Sequence, residues 1–379
     1  MGTNPAELRQ QILLNLEQQG FSLDSACLVE RREYAKEEIR RIHQQFRVEL
    51  LEKESGFVAA WYPKLAKYFA SGREISPEHI NPFCIVVDES ESELGRLFRL
   101  ASLWWSIPVS RGFGRRFRVV VLDQYNGKLI GLLGLTDPVF NLRARDSWIG
   151  WDVRAREKRL RHVMDAYVLG AIPPYNQLLG AKLVALISAS DFVTRAFRMR
   201  YRGKRSIITR RLFDGRLAMV TATSALGRSS IYNRLRFNGD PVFVRAGLTE
   251  GYGHFHVANG TFEKLRAYLR SVGNNETEKY QFGQGPNFRI RVARVALEKL
   301  GLPSGLLRHG IRREVYVSPL AENAAAFLRG QALRLRWLRR PISDVIGYWR
   351  ERWMLPRASR DDSYKVFDSR QWLEYLGLE

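Results

Sequence analysis

The sequence predicts an α+β protein. A mixed α/β core spans 79–330, a helical arm covers 1–78, and a basic helical extension covers 331–379. Three observations carry this reading. Apolar residues near the N-terminus recur at helical spacing, in Leu8, Ile12 and Leu16 and again in Tyr34, Ile39, Ile42, Phe46 and Leu50. The middle of the chain mixes short apolar strand-like runs with amphipathic helical stretches. The last fifty residues return to a basic helical pattern: residues 329–360 hold nine arginines and two acids.

Taken in order, the first helix ends at Gly20, a plausible C-cap, and a second runs from about Glu30 to Glu54. A shorter aromatic piece follows, with Trp61, Leu65 and Phe69. Such an arm packs on its own core or docks a partner. Asn81-Pro82 marks a break, after which "FCIVVDE" (83–89) reads as a buried strand and Ser92–Ser106 as an amphipathic helix. "FRVVVLD" (117–123) and "LIGLLGL" (129–135) flank Asn126-Gly127, which suits a type I′ hairpin with both central residues at positive φ. "RARDSWIGWD" (143–152) precedes a mixed-charge helix or loop. "MDAYVLGAIPPYN" (164–176) is a strand ended by two prolines, and 177–190 is the helix behind it. Further on, "RLAMVTAT", "PVFVRAGL", "GHFHVA" and "REVYVSPLA" read as strands, and Thr261–Ser271 and Arg289–Gly301 as helices.

Composition bounds the function. Basic residues number 61 against 39 acidic, a net charge of +22, and such a field attracts polyanions. Nucleic acid is the first candidate partner and an anionic membrane surface the second; a solvated basic surface, or one that meets an acidic protein, is the alternative. No apolar run reaches the roughly 20 residues of a membrane span, and of the two candidates nucleic acid is the expected partner, with no membrane. The first twenty residues lack a signal peptide's basic start and apolar block. Cys27 and Cys84 are the only cysteines, and there is no Cys-x-x-Cys. A cytoplasmic protein is therefore expected.

The candidate site residues lie in four groups. Between Asp191 and Arg216 the chain turns strongly basic, and Arg195, Arg198, Arg202, Lys204 and Arg205 alternate with Phe192, Phe197 and Tyr201, as cations and stacking faces do in a nucleic-acid groove. Arg334 and Arg336 in the C-terminal basic stretch belong with them. "SALGRSSIYNRLR" (224–236) holds three arginines and no carboxylate. Gly227 lets backbone N–H groups turn toward an anion, Ser229 and Ser230 supply hydroxyls, and Arg228, Arg234 and Arg236 supply charge, beside Tyr232 and Asn233. The plainer account makes Ser229 or Ser230 a helix N-cap with the arginines in water. His254 and His256, on one face of a strand, form a polar site with Asn287, Arg289, His309 and Arg312. A metal needs a third ligand, and no cysteine or acidic cluster supplies one, so no metal is expected.

The unit "YVLGAIPPYNQLLGAKLVALI" (167–187) resembles the coenzyme-A-binding turn of GNAT acyltransferases. Gly180 and the Leu183-Val184 pair match, while Tyr175 and Leu178 depart from the pattern. The resemblance implies a GNAT-like core and CoA held near Asn176, Gln177 and Gly180; otherwise no cofactor is expected. Across about 130–330, "RARDSWIGWD", "PPYNQLLGAKL", "SALGRSSIYNRLR", "GYGHFHVANGTFEKLRAYL", "FGQGPNFRIRVARVALEKLG" and "LRHGIRREVYVSPLAENAAAFLRG" resemble the Druantia anti-phage protein A family of bacteria. That resemblance implies a role in a multi-gene antiviral defence system with a helicase-like partner. It brings no settled reaction, so whether the chain is an enzyme stays open. Three expectations stand: a DNA- or RNA-binding module, a CoA-dependent acyltransferase, and an assembly subunit that contacts other defence proteins or a second copy of itself.

Overall fold

A computed structural model describes residues 4–19, 21, 23–24, 27–28, 35–105, 107, 114–206, 210–258, 261–274 and 286–378. Gly20 and most of the 273–285 loop lie outside them. The centre is a seven-stranded sheet: β1 (Pro82–Val87), β2 (Arg116–Asp123), β3 (Leu129–Thr136), β4 (Val163–Ala171), β5 (Met219–Thr223), β6 (Val244–Leu248) and β7 (Glu314–Pro319). Their order is β6-β7-β5-β4-β3-β2-β1. Every neighbour pair is antiparallel except β4 and β5. That parallel pair runs in register from Val163↔Met219 to Ala166↔Ala222; β4 then continues to Ala171 without β5. The mixed α/β core expected from the sequence is thus present, with a mostly antiparallel sheet.

The strands follow from their residues. β3 is buried at all eight positions and β2 at most of them, as continuous apolar runs require. The turn between them differs from the expected type I′. Gly127 has φ +72°, while Asn126 is not among the residues at positive φ. The connection is five residues long (124–128) and closes through Gly127 N–H to Asp123 O at 2.8 Å and Asp123 N–H to Lys128 O at 2.7 Å, so only one residue must be left-handed. Asn126 instead donates to the Tyr175 hydroxyl at 3.0 Å.

Helices cover both faces. On one side lie α6 (Gly180–Ser188), α7 (Asp191–Tyr201), α13 (Ile342–Trp349) and α14 (Leu355–Ala358), sharing a core with β2–β5. On the other lie α2 (Lys36–Leu65), α3 (Glu93–Ala101) and α15 (Gln371–Leu376). α2 is one helix of 30 residues, about 45 Å long, and absorbs Trp61 and Leu65 into its C-terminal half. α1 (Pro5–Gln18) starts at an Asn4 cap and buries Leu8, Ile12 and Leu16. Those residues pack within the molecule, one of the two roles expected of the arm. They form a second core with Ile39 and Ile42 of α2 and with α9 (Phe255–Ala258), α10 (Phe262–Ser271) and α11 (Pro286–Lys299), the helices between β6 and β7. α4 (Arg143–Ile149) and α12 (Ala324–Leu328) close a further cluster at the start of β4 and β5, and α5 (Val153–Arg159) lies against α12.

Two further expectations are corrected. "GHFHVA" is not a strand: residues 255–258 form α9, and the helical turn sends His256 into the helical core, where its Nε2 meets the Leu306 carbonyl. The C-terminal extension is helical only from Ile342. Residues 331–341 are irregular, pinned by Asn323, which accepts from Arg336 N–H at 2.8 Å and donates to Arg334 O at 2.9 Å. α13 then buries Val345 and Trp349 fully, and the Trp349 indole N–H donates to Leu179 O at 3.0 Å. No helix among the described residues is long and apolar enough to cross a membrane.

Candidate nucleic-acid interface

Two chain segments enter the parallel pair side by side. Residues 158–162 lead into β4, and residues 202–216 lead into β5. The second segment doubles back on itself. Gly203 N–H donates to Phe213 O at 2.8 Å, Phe213 N–H to Lys204 O at 2.9 Å, and Ser206 N–H to Arg211 O at 3.0 Å. A two-chain ribbon results, with Arg205 opposite Leu212. Gly203 (φ +77°) lets the chain leave α7 at a sharp angle, and Arg210 (φ +55°) sits where the ribbon returns. Phe213 roots the ribbon in the core, beneath the Arg115 guanidinium at 4.8 Å. Arg161 Nη1 ties it to β4 by donating to Leu212 O at 3.1 Å.

The ribbon's described residues carry Arg202, Lys204, Arg205, Arg210 and Arg211, all exposed. None has a carboxylate within 4 Å among the described residues. At its base is a cavity of about 330 Å³, walled by Lys158, Arg159, Arg161, Arg211 and Arg216 against only Glu157 and Asp214. Asp214 is already engaged: Arg216 Nε donates to it at 2.7 Å. Burial lowers the Arg161 pKa; Asp214 opposes this, while Arg159, Arg211 and Arg115 push it further down. Like charges crowded this way repel, and a bound anion relieves them. His162, buried beside the cavity, is held down to about 4 by burial, so its neutral ring donates from Nδ1 to Arg216 O at 2.9 Å.

The rim continues past the cavity. Arg216 Nη1 donates to Leu333 O at 2.7 Å, which brings the exposed Arg334 beside the ribbon's base. Arg198 is exposed on α7. Arg195 is exposed too but pairs with Asp191 at 3.3 Å, and Arg336 pairs with Glu322 at 3.3 Å. The expected stacking aromatics are not available: Phe197 and Tyr201 are buried and Phe192 packs against the same core, because the apolar face of α7 lies on the sheet.

The 224–236 segment lies elsewhere, beyond the C-terminal end of β5, and its groups are mostly spoken for. Ser229 caps the short helix α8 (Ser230–Arg234), its hydroxyl accepting from Tyr232 N–H at 3.3 Å. The Tyr232 ring packs on Phe243 and Tyr316, 4.8 and 5.3 Å between centroids. With the Asn233 amide oxygen turned toward it, Arg228 donates to Asn233 from Nε and Nη2 at 2.9 and 2.8 Å. Arg236 donates to Gly239 O at 2.6 Å. Gly227 has φ +77° in a turn, and Ser230 and Arg234 face solvent. Beneath the helix, Glu314 bonds the Tyr316 hydroxyl and accepts from Arg245 at 2.8 Å; burial and that carboxylate push Tyr316 up to about 12.

The polar histidine group does assemble, with changed membership. His256 and His309 lie 5.2 Å apart between ring centroids, and His254 is close enough to perturb both. His43 of α2 and Arg313 join them; Arg312 instead points to solvent, one position out of phase. Arg289 lies near His254, over the Phe262 ring at 4.6 Å, and the Asn287 side chain lies outside the described residues. Burial holds His43, His254 and His256 down to about 4 and His309 to about 2. His256 and His309 face backbone, the latter accepting from Ile311 N–H at 3.1 Å at Nδ1, and these neutral rings present no charge. Among the described residues no His, Cys, Asp and Glu group has metal-binding geometry.

Gly180 starts α6 beside the end of β4. A Cβ there would come within 2.8 Å of Tyr175 O and 2.9 Å of Ala171 Cβ, so the glycine serves close packing. Asn176 Oδ1 and Gln177 Oε1 in the same turn are buried without a hydrogen-bond partner among the described residues. Arg357, from the C-terminal extension, donates to Gln177 O at 3.3 Å. Sequence reasoning missed Lys158, Arg159 and Arg161. Their signal was present: "REKRLR" (156–161) holds four cations and one acid.

Comparison with known proteins places these features in a family. The sequence profile described as Druantia protein DruA matches residues 33–330. The chain is 41% identical over 374 residues to the Druantia protein DruA of Escherichia coli (strain UMEA 4076-1), covering 98% of this chain and 92% of that protein. No solved structure matches. By both measures the chain belongs to the Druantia protein DruA family.

Proposed function

We propose that the chain is the nucleic-acid-binding component of the Druantia anti-phage defence system, working beside that system's other subunits, a helicase-like protein among them. The observation that carries this reading is the ribbon: five exposed cations without carboxylate partners among the described residues, rooted beside a cavity walled by five basic side chains. A two-stranded ribbon is one of the two shapes that fit a DNA major groove. Guanidinium and ammonium groups spaced along it match successive phosphates, and the cavity at Arg161 takes the phosphate nearest the ribbon's base. Binding releases counterions and relieves the repulsion within the cavity. The test is fluorescence anisotropy with labelled oligonucleotides on the wild type and on a Lys204→Glu/Arg205→Glu/Arg211→Glu variant. The reading expects tight, salt-sensitive binding that the variant loses; equal binding by both removes it.

A second, GNAT-like reading has its own support in the strand order. β4 and β5 are the one parallel pair, they part beyond Ala166 and Ala222, and α6 begins at Gly180 beside that opening. CoA held there would raise the melting temperature, and Lys182→Glu would abolish the rise; no shift with acetyl-CoA ends this reading. The Trp349–Leu179 bond already occupies that turn, which favours the first reading. Exposed Met199 and Leu333 on the basic rim favour a protein partner as the third, tested by co-purification after nuclease treatment.

A further inference from the structure

A groove of about 640 Å³ lies on the α2 side of the sheet, away from the ribbon, and is lined by Arg40, Arg41, Arg47, Trp104, Trp105 and Tyr375. Its indole rings pack against the core on the α2 side of the sheet. Trp105 rests on Gly170 so closely that a Cβ there would approach the indole to 3.0 Å. Trp104 sits edge-on to Tyr375 at 4.3 Å and against Trp372 at 5.5 Å, yet both Trp104 and Trp105 stay half-buried and open to the groove. The cations are placed on the same walls. Arg40 and Arg41 are exposed; Arg47 donates from Nη2 to Tyr375 O at 2.8 Å, while its Nε is buried with no hydrogen-bond partner among the described residues. The one carboxylate on the groove, Glu37, is exposed and pairs with Arg40 at 3.3 Å.

Flat aromatic faces beside guanidinium groups ask for a ligand that is planar and anionic at once. An acidic peptide would use the arginines and leave the indoles in water. A duplex has its bases stacked away and would use only the arginines. An unpaired nucleotide uses both, its base on a ring and its phosphate on an arginine. The volume is within the range of formed ligand sites. The groove is also separate from the ribbon: Gly170, under Trp105, lies eight residues along β4 from His162, on the order of 25 Å at strand rise.

We infer that this groove receives an unpaired base of single-stranded nucleic acid, stacked on Trp105 and Trp104 with adjacent phosphates on Arg40, Arg41 and Arg47. The inference rests on the nucleic-acid reading above and gives it a strand preference. The stacking interaction would add to the ribbon's hold on the backbone wherever a strand is open, so single strands gain over duplex of equal length.

The experiment measures binding of fifteen-nucleotide oligothymidine, oligouridine and a blunt duplex to the full chain, by anisotropy and by quenching of tryptophan fluorescence. Trp105→Leu keeps an apolar side chain on Gly170 and removes the ring; Arg40→Ala/Arg41→Ala alters only exposed side chains and cannot be dismissed as unfolding. The expected result is quenching by the single strands and a loss of about tenfold in their affinity in either variant, with duplex affinity within about twofold of wild type. The two single strands separate DNA from RNA as the source. If the variants bind single strands as wild type does, or polyglutamate competes as well as oligothymidine, the groove proposal falls while duplex binding to the ribbon stands. If the wild type binds no oligonucleotide at low salt, the underlying reading falls with it.

Discussion

The ribbon's described residues (202–206 and 210–213) and the loop at 224–236 are both rich in arginine and poor in acid, and they differ in how far the fold engages them. In the loop, Arg228 is turned onto Asn233, Arg236 onto Gly239, Ser229 caps a helix and Tyr232 joins the core. In the ribbon, backbone bonds hold the two chains together, Phe213 turns into the core, and Arg202, Lys204, Arg205, Arg210 and Arg211 stay exposed, none with a carboxylate within 4 Å among the described residues; Arg205 also donates to the Arg210 carbonyl at 3.0 Å. Cationic composition alone therefore does not mark a binding surface. What marks it is whether the local fold satisfies the cations internally or leaves them to a partner.

Charge reversal on the ribbon has the largest expected effect. Lys204→Glu/Arg205→Glu/Arg211→Glu is expected to lower nucleic-acid affinity by about a hundredfold or more, since each reversed charge turns an attraction to phosphate into a repulsion. Arg228→Ala/Arg234→Ala is expected to change it by less than about threefold. Anisotropy titrations of both variants side by side decide this; a larger loss in the loop variant would invert the account.

The buried histidines make stability depend on pH. His43, His254 and His256 titrate near 4 and His309 near 2 in the folded chain, because burial disfavours their charged forms. Unfolded, each returns to about 6.5. Between about 6.5 and 4 the unfolded state therefore binds more protons, and stability falls as pH falls through that window. Above about 6.5 these groups are neutral in both states and contribute no slope. Urea denaturation should show several kcal/mol lost between pH 7.5 and 5, a drop reduced in His309→Gln. Nucleic-acid binding by the ribbon should stay nearly flat down to about pH 6, where the fold persists, because guanidinium groups do not titrate there. A binding curve that tracks the histidines would tie the two regions together.

The smallest expected effect concerns the loop's cap. Ser229→Ala should cost about 1 kcal/mol of stability, read as a lower urea midpoint, and leave oligonucleotide affinity unchanged.

How much of this the sequence carried differs by element. The hairpin of β2 and β3, the strand ended by Pro173 and Pro174 and the helices at 261–271 and 289–301 were legible, because apolar periodicity decides burial locally. "GHFHVA" misled, because four alternating residues cannot separate a strand from one helical turn, and only the helical core around His256 decides between them. Phe197 and Tyr201 read as stacking faces for the same reason: their alternation with arginine is the apolar stripe of α7 against the sheet. The ribbon's cations were visible, whereas Lys158, Arg159 and Arg161 join them only because β4 and β5 run parallel and start together. The groove of Trp104, Trp105 and Tyr375 draws on residues about 270 positions apart and had no local signature.

Phosphate contact by the ribbon is read from the salt dependence of binding, measured for wild type and the ribbon triple variant on one duplex. The account predicts log K falling linearly with log salt, and a slope shallower by about three in the variant, near 0.9 per cation removed. A salt-independent wild type, or identical slopes for both proteins, would contradict it.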